Sequence, residues 1–291
     1  MAMNEALPST GPNPSTVLRL EGKDALGLLH RISTQLLVDL APGEARATLF
    51  CDFRGRLLHR AAVCTAEEGA LWLVRDGAPG ESLAAFIDRH VFRDDVRIVD
   101  HSHAWAVEPA PAPETSPGTW EERDGAPRLI HLAGWTLMLG SPRPLDPSWL
   151  AEHERSRIRL GRPSHGHEIV EDFNPFEVGL GGEVHLDKGC FTGQEALLRL
   201  ITRRSVRRGL ALLEGRGRPR APSEIRVSGR RAGRLTSAIA DPSAAEPGRW
   251  VGLAVVDRAV EAGPLDIEGC EPTGAPRFFT APSPLGRPAV A

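Results

Sequence analysis

Glycine and proline punctuate this chain so closely that a punctuated, loop-rich structure is expected: 30 glycines and 25 prolines fall among 291 residues. Either residue ends or bends a helix or strand, so the fold has to be assembled from short elements joined by turns. With 41% apolar and 25% charged residues the chain is built for hydrophobic cores, and its length suits about two domains. The longest apolar runs, such as 251–256, fall far short of the ~18 residues that a membrane span needs. The opening Met-Ala-Met-Asn-Glu has no basic region ahead of an apolar stretch, so no secretory signal is expected. Cys51, Cys64, Cys190 and Cys270 are widely spaced with no Cys-x-x-Cys pair, which predicts free thiols in a reducing cytosol.

Apolar periodicity gives the order of elements. After a loose tail over 1–14, Thr16–Leu20 alternates like a strand. Asp24 is placed to cap a helix carrying Ala25, Leu28, Leu29, Ile32 and Leu36, which Pro42-Gly43 stops. Strand patterns cover Ala45–Asp52, Leu57–Thr65 and Gly69–Arg75, the first two joined at Arg54-Gly55. A helix over Ser82–Val91 and strands over Val96–Asp100 and Ala104–Val107 complete a split βαβ-type α+β unit. Residues 109–127 read as a proline-rich linker, followed by one strand near Leu129–Leu139 and a helix from Pro147 to Leu160. From Ser205 the texture is all-β, with strands over 206–213, 224–227, 230–237 and 250–256, which predicts a small barrel or sandwich over 205–271 and a tail over 272–291.

Net charge is −3, so the whole chain is no polycation built for DNA. The segment 199–234 nevertheless holds twelve arginines against Glu214 and Glu224, and no aromatic residue. Without a ring, base stacking is not available there, and a solvated barrel surface is the expected reading. Lys23 and Lys188 are the only lysines among 35 basic residues, and tyrosine is absent. No phosphate loop and no Gly-x-Ser-x-Gly elbow occurs. His167-Glu168-Ile169-Val170-Glu171 lacks the second histidine of a zincin motif, and the His101/His103 and His165/His167 pairs read as loop histidines, so no metal site is expected.

The segment Asp187-Lys188-Gly189-Cys190-Phe191-Thr192-Gly193-Gln194-Glu195 carries the chemistry. Thr192-x-x-Glu195 has the form of a capping box ahead of the helical face Ala196, Leu197, Leu200 and Ile201. Cys190 would then stand at the positive end of a helix with Lys188 two residues upstream, and both favour a thiolate. Local physics alone favours the plainer reading, a structural cysteine before an ordinary capped helix, because capping boxes are common.

Residues 188–195, Lys-Gly-Cys-Phe-Thr-Gly-Gln-Glu, resemble the signature of the YgfZ family, relatives of the glycine-cleavage T-protein. Phe53–Leu57, Arg157-Ile158-x-x-Gly161-x-Pro163, Asn174–Leu180 and Gly233–Ser237 resemble further family segments, so the similarity runs over about 16–256. The resemblance implies an α+β fold of two interleaved α+β subdomains (15–108 and 128–204) within a folate-binding region over 15–204, plus the C-terminal β-barrel. It implies a cytoplasmic accessory factor, not itself an enzyme, for assembly or repair of iron–sulfur clusters. Its expected partners are iron–sulfur client proteins or assembly machinery, with tRNA reached through those clients and no direct contact to DNA, tRNA or membrane. Cys190 inherits the functional thiol, with Lys188 favouring the thiolate and Gln194 and Glu195 shaping the helix start. Tetrahydrofolate is the implied cofactor, with Glu177 and Arg56 as candidate contacts, and a transient cluster shared with a partner is compatible with one thiol. The alternative is a folate-dependent aminomethyltransferase-like one-carbon enzyme. Against it, Leu36 stands where the T-protein has the aspartate central to transfer, and Arg159 where it has a pterin-facing glutamate. A carboxylate accepts paired hydrogen bonds from a pterin N–H edge and an arginine cannot.

Overall fold

A computed structural model of the protein describes residues 14–66, 68–110, 117–123, 126–144, 146–242, 244, 246–260 and 264–286. The N-terminal tail up to residue 13, linker positions 111–116 and 124–125, and tail positions 287–291 lie outside the described residues. The chain forms two compact units that alternate along the sequence, one from 1–29, 37–47 and 61–151, the other from 30–36, 48–60 and 152–291.

The N-terminal elements are β1 (Ser15–Glu21), α1 (Ala25–Ile32), β2 (Ala45–Cys51), β3 (Leu57–Thr65), β4 (Leu71–Asp76), α2 (Gly80–Asp88) and β5 (Arg97–Asp100). Their strands form one sheet in the order β2-β3-β4-β1-β5. Then come β6 (Ala106–Ala110), β7 (Thr119–Arg123), β8 (Ala126–Leu132) and β9 (Trp135–Gly140), paired in the order β6-β9-β8-β7. Val17, Ala62, Trp72, Val74, Val107, Ile130 and Leu137 share one core in the first unit.

Three expectations need correction here. Helix α1 ends at Ile32, not Leu36, because residues 33–36 leave the helix to bond elsewhere: Thr34 N–H donates to Leu49 O at 2.9 Å and Gln35 N–H to Thr48 Oγ1 at 3.2 Å. The expected linker contains strand β7, which pairs Thr119 with His131 and Trp120 with Ile130. The single strand expected over 129–139 is a hairpin, turned at Gly134 in the left-handed region (φ 80°).

Next come α3 (Pro147–Arg159), α4 (Gln194–Thr202), β10 (Arg208–Gly217), β11 (Ser223–Val227), β12 (Arg230–Ala240), β13 (Arg249–Asp257), β14 (Leu265–Asp266), β15 (Cys270–Pro272) and β16 (Arg277–Phe278). Asp146 Oδ1 accepts Ser148 N–H at 2.7 Å and starts α3, with Pro147 in the first turn where its missing donor costs nothing. Strands β14-β11-β12-β13-β10-β15, with β16 added on β10, make a nearly closed barrel. Trp250, Ile225, Leu235, Ala254 and Val256 fill it. A second cluster joins Leu49, Leu57, Ile158, Phe173, Val178, Leu186, Leu197 and Val255.

The segment from Pro272, expected as a tail, returns to the fold. β16 pairs Ala211 with Phe278 and Leu212 with Arg277. Leu285 then accepts Leu186 N–H at 3.0 Å and donates its own N–H to Val184 O at 2.8 Å. Apolar Phe278 and Phe279 explain the return, since each finds half-buried packing on the second unit.

Candidate functional site

The loop that carries Cys190 is built between fixed points. Upstream, His185 N–H donates to Thr34 O at 2.9 Å, and Leu186 N–H to Leu285 O. Downstream, Gln194 N–H closes a turn on Phe191 O at 3.2 Å, while Gln194 Nε2 reaches back to Leu186 O at 2.9 Å. Gln194 therefore ties the helix start to the strand-like entry of the loop. Gly189 (φ 104°) and Gly193 (φ 84°) take left-handed conformations on either side of the cysteine. At Gly193 a Cβ would lie 2.5 Å from Asp52 O, so the turn between β2 and β3 sits directly against it. Asp52 Oδ1 holds that turn by accepting Arg54 N–H at 2.8 Å and Arg56 N–H at 2.7 Å.

The capping box expected at Thr192 and Glu195 does not form. Gly193 is the N-cap of α4 and makes no side-chain cap bond. The left-handed turn at Gly193 moves the helix start one residue onward, out of reach of Thr192. Glu195 points to solvent, 84% exposed, and pairs with Arg199 one turn on.

Lys188 is buried, and its ammonium donates to His30 O in the last turn of α1. In return His30 Nε2 lies 2.9 Å from Lys188 O. A carbonyl only accepts, so Nε2 carries the proton. The ammonium also lies 5.1 Å from the centre of the Phe191 ring. Burial pulls its pKa down to about 8. Cys190 stands exposed between the buried Lys188 and Phe191. The other three cysteines differ. Cys51 and Cys64 are fully enclosed, which pushes both thiols far up, and burial raises Cys270 to about 11.

Glu177 and Arg56 come together, 3.6 Å apart, but as members of a closed cluster. Glu177 Oε1 accepts Arg208 Nε at 2.8 Å and Oε2 accepts Asn174 N–H at 3.0 Å. Arg56 also donates to Asp172 O at 3.0 Å. This carboxylate caps its own turn and neutralises two arginines, so it offers no open acceptor pair for a pterin edge. Arg159 is likewise engaged, donating to Asp241. Leu36 places no carboxylate in its segment. The carboxylate brought to this region is Glu183, whose backbone oxygen accepts Thr34 Oγ1 at 2.7 Å while its side chain is forked by Arg60.

Two further motifs resolve into structure. Glu168 is fully buried and accepts Arg157 Nη1 at 2.9 Å, Ser164 N–H at 3.1 Å, Ser237 Oγ at 2.7 Å and Thr236 Oγ1. The Arg157 segment and the Gly233–Ser237 segment thus meet on one carboxylate. His165 Nε2 accepts Arg60 N–H at 3.1 Å and His167 Nδ1 lies 3.2 Å from Thr236 O, so the two histidines diverge. Among the described residues no group of three or more His, Cys, Asp or Glu side chains is placed to hold a metal ion, and no helix is long and apolar enough to cross a membrane. Sequence reasoning missed His30, Arg208 and Glu168 as partners. A histidine in a helix's last turn is a signal that it can meet backbone carbonyls, but Lys188 lies 158 positions away.

No known family profile matches the chain. An aminomethyltransferase of Streptomyces avermitilis is 26% identical over 83% of this chain and 76% of its own length. One from Rubrobacter xylanophilus is 29% identical over 83% and 74%. A chloroplast protein of Arabidopsis thaliana named as a transferase is 26% identical over 76% of this chain and 59% of its own length. The crystal structure of the glycine cleavage system aminomethyltransferase T from Bartonella henselae superposes with a TM-score of 0.70 at 18% identity, covering 91% of this chain and 86% of that one. The fold is therefore α+β with a C-terminal barrel, like that of the aminomethyltransferase T structure, and over most of its length the sequence is similar to aminomethyltransferases.

Proposed function

We propose that this chain is a YgfZ-like accessory protein for assembly or repair of iron–sulfur clusters, acting in the cytosol through the Cys190 thiol. The observation that carries the reading is the contrast among four thiols: the one inside the eight-residue signature is exposed on an anchored loop, and the rest are wholly or partly buried. One thiol cannot supply the four protein ligands that a cluster usually takes. Cys190 therefore contributes one ligand to a cluster shared with a client protein, or exchanges with a client disulfide. In the exchange its thiolate bonds one client sulfur and releases the other as a thiolate.

The aminomethyltransferase fold supports the folate relation that the resemblance implies. The two nominated contacts, Glu177 and Arg56, do not fit a pterin, because they are spent on each other and on Arg208 and Asn174. The thiol role is accordingly proposed without any step through folate. In a strain lacking the gene, wild type should restore iron–sulfur enzyme activities and thiolated tRNA, and Cys190→Ala should not. Full rescue by the alanine form sinks the proposal.

The names of the relatives favour a second reading, a one-carbon transferase. Leu36 in place of a carboxylate, and the forked closure of Glu183 by Arg60, oppose it. Aminomethyl transfer to tetrahydrofolate by the purified protein would reinstate it.

A further inference from the structure

We propose that His30 is a positioning residue for the Cys190 thiol, acting through a reciprocal clasp with Lys188. Each side chain of the pair bonds the main-chain carbonyl of the other: Lys188 Nζ donates to His30 O, and His30 Nε2 donates to Lys188 O at 2.9 Å. A single bond leaves a hinge, whereas two bonds of opposite sense fix both the place and the direction of the Lys188 backbone. Only Gly189 separates that fixed point from Cys190, and at φ 104° it is the joint about which an unclasped chain would swing.

The far side of the tip is tied to the same clasp. Phe191 is buried, and its ring meets the Lys188 ammonium at 5.1 Å. Residues 188 and 191 thus hold one another, leaving Gly189 and Cys190 as a two-residue exposed tip whose base is closed by a cation over a ring. The buried ammonium meets the C-terminal carbonyl end of α1, where the helix dipole favours a positive charge. Asp187 is the acidic neighbour in sequence, and it is exposed. A neutral Lys188 amine still donates to His30 O, so that half of the clasp survives loss of the charge.

The inference rests on the reading of Cys190 as the working thiol, but its test is independent of any client. The purified full chain is treated with iodoacetamide across pH 6.5–9.5, and Cys190 alkylation is followed by peptide mass spectrometry, with Cys270 as the internal control. His30→Met keeps bulk but removes the donor, Lys188→Met breaks the other half, and His30→Gln keeps a donating N–H. Both methionine variants should change the Cys190 rate at neutral pH by at least about threefold and alter its pH profile. His30→Gln should track wild type, and Cys270 should not respond. Profiles that superimpose on wild type in both methionine variants overturn the inference, even where the melting temperature falls, because that pattern means a structural role alone. If one methionine variant does not fold, the other carries the same decision. Full genetic rescue by Cys190→Ala defeats the functional proposal and leaves the alkylation result standing.

Discussion

Two polar clusters of the second unit are each built around a motif residue, and they are opposites. Around Glu168, four donors converge on one carboxylate that no solvent reaches: Arg157, Ser164, Thr236 and Ser237. Around Cys190 the bonded groups are at the base, from His30, Lys188, Phe191 and Gln194, and the thiol is outside. The first arrangement spends every polar group on the fold. The second uses polar groups to hold a main chain still while one side chain stays available. Resemblance by motif did not separate these roles, and burial does.

Breaking the Glu168 cluster should have the largest effect. Arg157→Met leaves a buried carboxylate without its cation and should cost about 3–5 kcal/mol in urea unfolding, with Cys190 alkylation of the folded protein unchanged. A loss below about 1 kcal/mol would erase the contrast between the clusters. Gly193→Ala sets a Cβ against Asp52 O at a left-handed backbone and should cost about 1–3 kcal/mol by the same measurement. Lys188→Met sharpens the comparison through pH. The ammonium titrates near 8 in the fold against 10.5 ordinarily, so between those values the unfolded chain binds more protons and rising pH stabilises the fold. The melting temperature of wild type should therefore gain on that of Lys188→Met as pH rises from 8 to 10.5. Parallel curves would show that the ammonium is not held in the burial described. Glu195→Gln removes only an exposed pair with Arg199 and should change stability by no more than about 0.5 kcal/mol. Cys190→Ala should be smallest of all, within about 0.5 kcal/mol, although it is the change that should abolish rescue.

The order of short elements was legible because alternation and helical spacing are local, and turn residues mark their ends. β3 matches its expected bounds, and the helix expected from Pro147 ends one residue short, at Arg159. What escaped depends on partners remote in sequence. α1 stops early because Thr34 and Gln35 bond with residues 48–49, 182–183 and 185. The capping box failed because Gly193 is held against the turn at Asp52, a contact across about 140 positions that no local pattern encodes. In the site, Cys190 was legible from its signature, while His30 was not, since its role exists only once residue 188 has arrived. Glu177 and Arg56, each expected as a folate contact, meet as an ion pair, and Arg208, which helps close that place to a ligand, comes from the barrel.

The return of residues 277–285 has a consequence for biosynthesis. Leu186 N–H finds its acceptor in Leu285 O, so that one bond at the entry to the thiol loop cannot form until synthesis has passed position 285. Domains fold as units while the chain emerges, N-terminal parts first. On the ribosome, a nascent chain with its signature already translated would hold that loop without the Leu285 bond. Completion of the thiol tip is thereby deferred until residue 285 has been made, well after the barrel strand β10 that receives β16.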